Sequence, residues 1–289
     1  MIINKHANKN HYLRTEDGLW IRDFTKPYVK AIDINRLVSD GDCHTFLSNE
    51  LINGKRDVIG IDGEILEYND AVIVSDGYDF ENKHKLLASL PNNIVIIGVN
   101  GALAKWKLMQ KNTPPELRRI MSCYVVNNPY TECLHYLPRQ HSYYPQCIAS
   151  LRTKPEFLDG YRGNIATYSP SPSEYYAGPK TDPQYFIDDY RNPICAAIGL
   201  VYKFHVKRLL LLCCDNLFEG MRPGAVPINE TLWCYPQQCV SHRIIDGNLY
   251  WLEKSGVQIA NCSSGIVYNY ARYISETEIH SFFTEEEEL

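Results

Sequence analysis

Seven short apolar runs punctuate the chain from residue 69 onward, and their lack of alternation limits the possible folds more than any other feature. They are AVIVS (71–75), IVIIG (94–98), MSCYVV (121–126), QCIAS (146–150), NIATY (164–168), VKRLLLLCC (206–214) and VQIAN (257–261). A strand with one wet face alternates apolar and polar residues, whereas a strand apolar throughout is covered on both faces. Helical stretches are expected between several of them, at 80–90, 101–111, roughly 183–204 and 239–255. Strands alternating with helices imply crossover connections. The expectation is a Rossmann-like α/β domain over 69–289, with a mainly parallel sheet flanked by helices. Ser275 and Glu278 stand in capping-box spacing and predict a last short helix, followed by a solvated acidic tail.

Residues 1–68 read differently, as a small β-rich module. YLRTEDGLWIRDF (12–24) and DVIGIDGEILEY (57–68) alternate around Asp17-Gly18 and Asp62-Gly63, the pairs that supply positive φ in tight hairpins. A polar stretch compatible with a helix lies between them. Two hairpins bury little core alone, so the module is expected to pack on the larger α/β domain. The stretch 168–183, with four of the 16 prolines, reads as a long loop of the kind that covers a site.

The formal charge, 29 − 34 = −5, lacks the basic field that displaces counterions from phosphates, so nucleic acid is not an expected partner. No apolar run reaches the roughly 18–20 residues of a membrane span, and the start lacks the apolar core of a secretory signal. Ten cysteines then read as reduced thiols in a cytoplasmic protein, with no zinc-type spacing. A homo-oligomer is compatible with all of this.

Ligands of open parallel sheets bind where strands end and helices begin. The expected ends carry Ser75-Asp76-Gly77-Tyr78-Asp79, then Asn100-Gly101, Asn127-Asn128 and Asp215-Asn216. Gly77, Asn100, Gly101 and Asn128 suit contacts to ribose, base and phosphate, although each alone also reads as a plain turn. Asp215 ends the most apolar strand and suits a ribose, a Mg²⁺ ion or an acceptor, or simply a turn. Arg191 and Asn192 precede Pro193 at an expected helix start, where backbone amides and a guanidinium hold phosphate; an ion pair of Arg191 with Asp188 or Asp189 is the plainer reading. Asp40-Gly41-Asp42 matches the D-x-D of metal-dependent sugar transferases, but lies in the N-terminal module and reads more simply as a turn. There is no G-x-x-x-x-G-K loop, no G-x-S-x-G elbow and no clean G-x-G-x-x-G.

The run AVIVSDGYDFENKHKLLASLPNNIVIIGVNGALAKW resembles the opening of the MptE-like family, the 6-hydroxymethylpterin pyrophosphokinase type found also in flagellin-glycosylation proteins. The resemblance continues through NPICAAIGLVYKFHVKRLLLLCCDNLF (192–218) and SHRIIDGNLYWLEKSGVQIANCS (241–263). The order is also similar to that of bacterial CMP-sialic-acid sialyltransferases: a glycine loop, Asn after the second strand, Asn-Pro after the third and a His before the penultimate helix. That likeness implies His242 as the base that takes the acceptor's proton, with Arg222 and Tyr235 steadying the leaving phosphate. The phosphate loop departs from both groups, keeping only Gly77 and adding Asp76 and Asp79. Two carboxylates repel a phosphate unless a metal such as Mg²⁺ bridges them.

Three functions therefore stand side by side. One is transfer of a sugar from a nucleotide donor, CMP-linked by preference, to a glycan, protein or small molecule. Another is an ATP- and Mg²⁺-dependent pyrophosphokinase, with Asp76, Asp79 or Asp215 as metal ligands. The last is a non-catalytic binding or assembly protein on the same fold.

Overall fold

The computed structural model describes residues 12–14, 20–22, 40–53, 69–77, 79–81, 83, 86–87, 90–137, 144–170, 186–187, 189, 192–228, 230–263 and 266–284. Its centre is one sheet. In chain order the strands are β3 (Asp70–Val74), β4 (Val95–Val99), β5 (Cys123–Val126), β6 (Gln146–Ser150), β7 (Ile165–Pro170), β8 (Phe186–Ile187), β9 (Arg208–Leu212), β13 (Gln258–Asn261) and β15 (Arg272–Tyr273). Their spatial order is β15-β13-β9-β3-β4-β5-β6-β7-β8, and every neighbouring pair runs parallel. The expected α/β architecture is thus present.

Successive side chains of each strand enter opposite layers. Ala71, Ile73, Leu209 and Leu211 pack under helices α4 (Pro193–Lys203) and α5 (Pro236–Lys254). Val72, Val74, Leu210 and Leu212 face Phe80, Leu86, Leu87, α2 (Ala102–Asn112), α3 (Pro155–Gly160) and α6 (Ile279–Thr284). Two buried faces explain the apolar runs: β3 is buried at every position. Each fully buried Val, Leu or Ile contributes about 1.5–3 kcal/mol. At the bottom of β3, Asp70 pairs bidentately with Arg208 at 2.7 and 2.8 Å and ties the two central strands.

Helix α4 starts later than the sequence suggests. Residues 186–187 of the expected helix form β8; Asn192 then caps α4 by accepting from the Ile194 amide at 2.8 Å, and Pro193 takes the first turn. Likewise residues 168–170 extend β7, while the rest of the expected covering loop, 171–183, lies outside the described residues. The terminal helix begins at the expected Ser275 capping box.

Of the N-terminal module, the first hairpin is present as β1 (Tyr12–Arg14) and β2 (Trp20–Arg22), with Leu13 opposite Ile21. The second expected hairpin lies outside the described residues. β2 pairs in parallel with β14 (Ile266–Val267), far along the chain. Between the hairpins lies α1 (Asp40–Asn53), so Asp40-Gly41-Asp42 is the helix's first turn and not a free turn. Phe46, Asn49, Glu50 and Asn53 form its buried stripe at helical spacing. Asn49 donates to the carbonyls of Pro129 (3.1 Å) and Arg152 (2.9 Å). Asn53 donates to those of Leu151 (2.8 Å) and Thr153 (2.7 Å). Glu50 meets Arg152 at 2.6 Å. Helix α1 is thereby fastened over the loops at the ends of β5 and β6.

A small antiparallel sheet, β10 (Phe218–Glu219), β11 (Val226–Pro227) and β12 (Leu232–Cys234), fills the connection from β9 to α5. Among the described residues no helix is long and apolar enough to cross a membrane.

Candidate functional site

The chain leaves β3 toward β8 on one side and returns to β9 on the other, so strand order reverses between β3 and β9. At such a point the loops diverge and open a crevice beyond the carboxyl ends of the strands. The two loops lie against each other. Ser75 donates its amide to Leu212 O and Gly77 to Cys213 O, each at 3.1 Å. A Cβ on Gly77 would sit 2.4 Å from that carbonyl oxygen and 2.5 Å from Asp215 Oδ1, so only glycine fits.

Asp215 is fully buried, and its Oδ1 accepts from the Leu217 amide at 2.9 Å. As placed, it closes its own turn and braces the Gly77 loop instead of presenting a carboxylate to ligand. Cys213 (φ 54°) and Asn216 (φ 53°) hold this turn in the left-handed region, a conformation that surrounding bonds must enforce. Those bonds are visible: Tyr268 Oη donates to Cys214 O (2.6 Å), Ser263 Oγ accepts from the Cys214 amide (2.9 Å), and His242 Nε2 donates to Asp215 O (2.5 Å).

His242 therefore stands beside the predicted crevice, two turns into α5, but it is 5% exposed and one nitrogen is committed to the turn. Any proton-accepting role falls to Nδ1. Burial lowers its pKa to about 4, opposed by the bond to the Asp215 carbonyl. The folded protein thus binds a proton less readily than the unfolded chain, whose histidine titrates near 6.5. The neutral imidazole contributes its full stability above pH 6.5 and loses it as pH falls toward 4. The linked loss is about 3 kcal/mol. Urea unfolding between pH 4 and 8 is expected to show this slope in the wild type and to lack that part of it in His242→Asn.

On the other side of β3, Asn100 (φ 45°) ends β4 and Gly101 starts α2 without a side-chain cap. The Asp76 carboxylate lies on Gly101, where a Cβ would meet Oδ2 at 2.1 Å. Lys105, one turn into α2, donates from Nζ to the Asp76 carbonyl at 2.8 Å. Tyr124 Oη donates to Asn100 O at 2.7 Å. Asn128 Nδ2 donates to Tyr136 Oη at 3.3 Å, while its Oδ1 accepts from the Tyr130 amide at 2.9 Å. Burial, and then the nearby Asp76 charge, push the Tyr136 phenol up to about 12. Asp76, Asn100, Lys105, Asn128, Tyr136 and Asn216 are all partly accessible, in contrast to buried Gly77, Asp215 and His242. Asn100 Oδ1 and Asn216 Nδ2 are buried atoms with no hydrogen-bond partner among the described residues.

Other expected residues are engaged elsewhere. Asp79 pairs with Lys83 at 3.2 Å, and Lys83 also reaches Glu276. Asp76 and Asp79 therefore serve different partners, and no group of three or more metal-type side chains gathers among the described residues. The Asn192 side chain is spent on the α4 cap, with buried Asp189 beside it accepting from Tyr168 Oη at 2.9 Å. A carboxylate at that helix start opposes a phosphate there. Arg191 lies outside the described residues. Arg222 and Tyr235 meet through Phe218: the guanidinium lies 4.2 Å from that ring and the phenol ring 5.1 Å from it. Lys105 and Tyr136 are residues the sequence did not single out, whereas Asn216 stood in the expected Asp215-Asn216 strand end. Only Lys105 had a signal, its place one turn after Gly101.

The reversal in strand order, with polar strand ends on both sides of it, defines a doubly wound α/β protein. No protein-family description and no curated protein matches the chain. Its fold is similar to that of the MAf glycosyltransferase from Magnetospirillum magneticum AMB-1, with a TM-score of 0.57 and 13% identity over 82% of this chain. The match covers 38% of that protein, so this chain spans well under half its length, and the likeness is one of fold.

Proposed function

We propose that the chain is a glycosyltransferase that takes a sugar from a nucleotide donor seated over the ends of β3, β4, β5 and β9. The observation that carries this reading is the placement of Gly77, Asp76, Asn100, Lys105 and Asn216 just beyond the carboxyl ends of β3, β4 and β9, the central strand and its two neighbours. The fold likeness to a glycosyltransferase supports it, as does the order of sequence motifs that resembles the MptE-like and sialyltransferase groups. In this reading Asn100, Asn128 and Asn216 contact the nucleoside and Lys105 meets the phosphate. Asp215 and His242 serve the site by holding the 213–216 turn. A CMP-linked donor fits best, since its leaving group carries one phosphate and Asp79 is already paired with Lys83. The acceptor is a glycan, a protein or a small molecule.

One observation favours the pyrophosphokinase reading: Asp76, a partly exposed residue, places a carboxylate at the loop, where a Mg²⁺–ATP complex would bring a cation. Thermal unfolding with CMP, UDP, GDP and ATP, each with and without Mg²⁺, separates the two. Saturating CMP without metal is expected to stabilise the fold by about 2.7 kcal/mol at a hundred times its Kd. A shift confined to ATP with Mg²⁺ selects the kinase, and no shift with any nucleotide overturns both.

A further inference from the structure

We propose that Asp76 is the proton acceptor of the transfer reaction, a role that rests on the glycosyltransferase reading above. Three placements argue for it. Asp76 stands at the end of the central strand β3, beside the reversal, where donor and acceptor must meet. Asp76 is a partly exposed residue, whereas Asp215 is fully buried and His242 is 5% exposed. Its carboxylate packs on Gly101 through Oδ2, and Ser75 Oγ donates to Oδ1 at 3.4 Å.

The surroundings suit a base. Burial raises the Asp76 pKa above the ordinary carboxylate range, and the Lys105 charge pulls it partly back. The phenols of Tyr124 and Tyr136 and the thiol of Cys214 also feel the Asp76 charge; burial and that charge push Tyr136 to about 12 and raise Tyr124 and Cys214 too, so all three stay neutral. Lys105 is the cation beside the site. A carboxyl with a raised pKa is a stronger base than one in water. In the step itself, a lone pair of the acceptor hydroxyl forms the new bond to the anomeric carbon. The bond from that carbon to the donor phosphate oxygen breaks, and its electron pair leaves with the nucleotide. The hydroxyl proton ends on Asp76 and passes from there to solvent. Asp76 is then no metal ligand, and Gly101 is glycine because the base occupies the space of its side chain.

The test uses the full chain and CMP-linked N-acetylneuraminic acid, with water standing in for the acceptor and release of CMP as the readout. CMP binding is measured separately by calorimetry. Asp76→Asn is expected to lower release by at least about 100-fold, with CMP bound as tightly as before or more tightly, because a negative charge has gone. The wild-type rate is expected to fall on the acid side, through a pKa above the usual carboxylate range. That limb disappears in Asp76→Asn, and Asp76→Glu recovers part of the rate. Release in Asp76→Asn above about a tenth of wild type, CMP affinity lost along with the rate, or CMP binding with no release by the wild type would each overturn the role. Failure of the wild type to bind any nucleotide would instead sink the glycosyltransferase reading, and this role with it.

Discussion

Glu50→Ala is expected to remove about 3–5 kcal/mol of folding stability, the largest loss of any single substitution considered. Glu50 and Arg152 meet at 2.6 Å with side chains 4% and 7% exposed, so the variant keeps a buried guanidinium without its carboxylate. Arg152 belongs to the loop after β6, and Glu50 to α1, 102 residues earlier. The damage therefore falls on the joint between the N-terminal segment and the sheet. Urea unfolding measured by circular dichroism provides the number. Glu50→Leu combined with Arg152→Met should cost much less, because both charges leave together. A loss under about 1 kcal/mol for Glu50→Ala would place the pair among wet surface bridges.

Gly77→Ala is the second large effect, expected at about 3 kcal/mol. The added methyl would lie 2.4 Å from the Cys213 carbonyl, a backbone atom of the turn after β9 that already accepts from the Gly77 amide. It would also lie 2.5 Å from Asp215 Oδ1, which is bound to the Leu217 amide. Neither obstacle can swing aside. Gly101→Ala is the instructive contrast, since its nearest obstacle is the Asp76 side chain. That carboxylate can turn away, so Gly101→Ala should unfold nearly as wild type does while impairing the site. Equal stability losses in the two variants would contradict the rigid contact at Gly77.

The sheet was legible because burial on both faces leaves a compositional trace that needs no partner to be read. Val72 and Ile73 enter different layers, yet both must be apolar. The strand-end positions came from the same pattern. What could not be read was direction. Asp76 and Asp79 look equivalent in the sequence, but one lies on Gly101 and the other on Lys83. Asn192 looks like a ligand residue, and in the fold its oxygen accepts from the Ile194 amide. His242 carries the chemistry of a base in any sequence, and only folding shows that its ring is turned to a backbone carbonyl. Helix α1 was obscure for the opposite reason. Its buried stripe includes Asn49, Glu50 and Asn53, so it has none of the apolar periodicity by which a docked helix is recognised.

The strand that anchors everything, β3, acquires its second neighbour late. Asp70 and Arg208 pair across the two strands, and 138 residues separate them. On a ribosome adding roughly 5–20 residues per second, β3 waits on the order of ten seconds with one row of amides and carbonyls bare. Such a border is where a growing chain sticks to others, and closing so long an excursion is slow. Synthesis of this protein therefore passes through a vulnerable interval. A chaperone that shields that border until β9 emerges would raise its yield, while one acting after release would come too late.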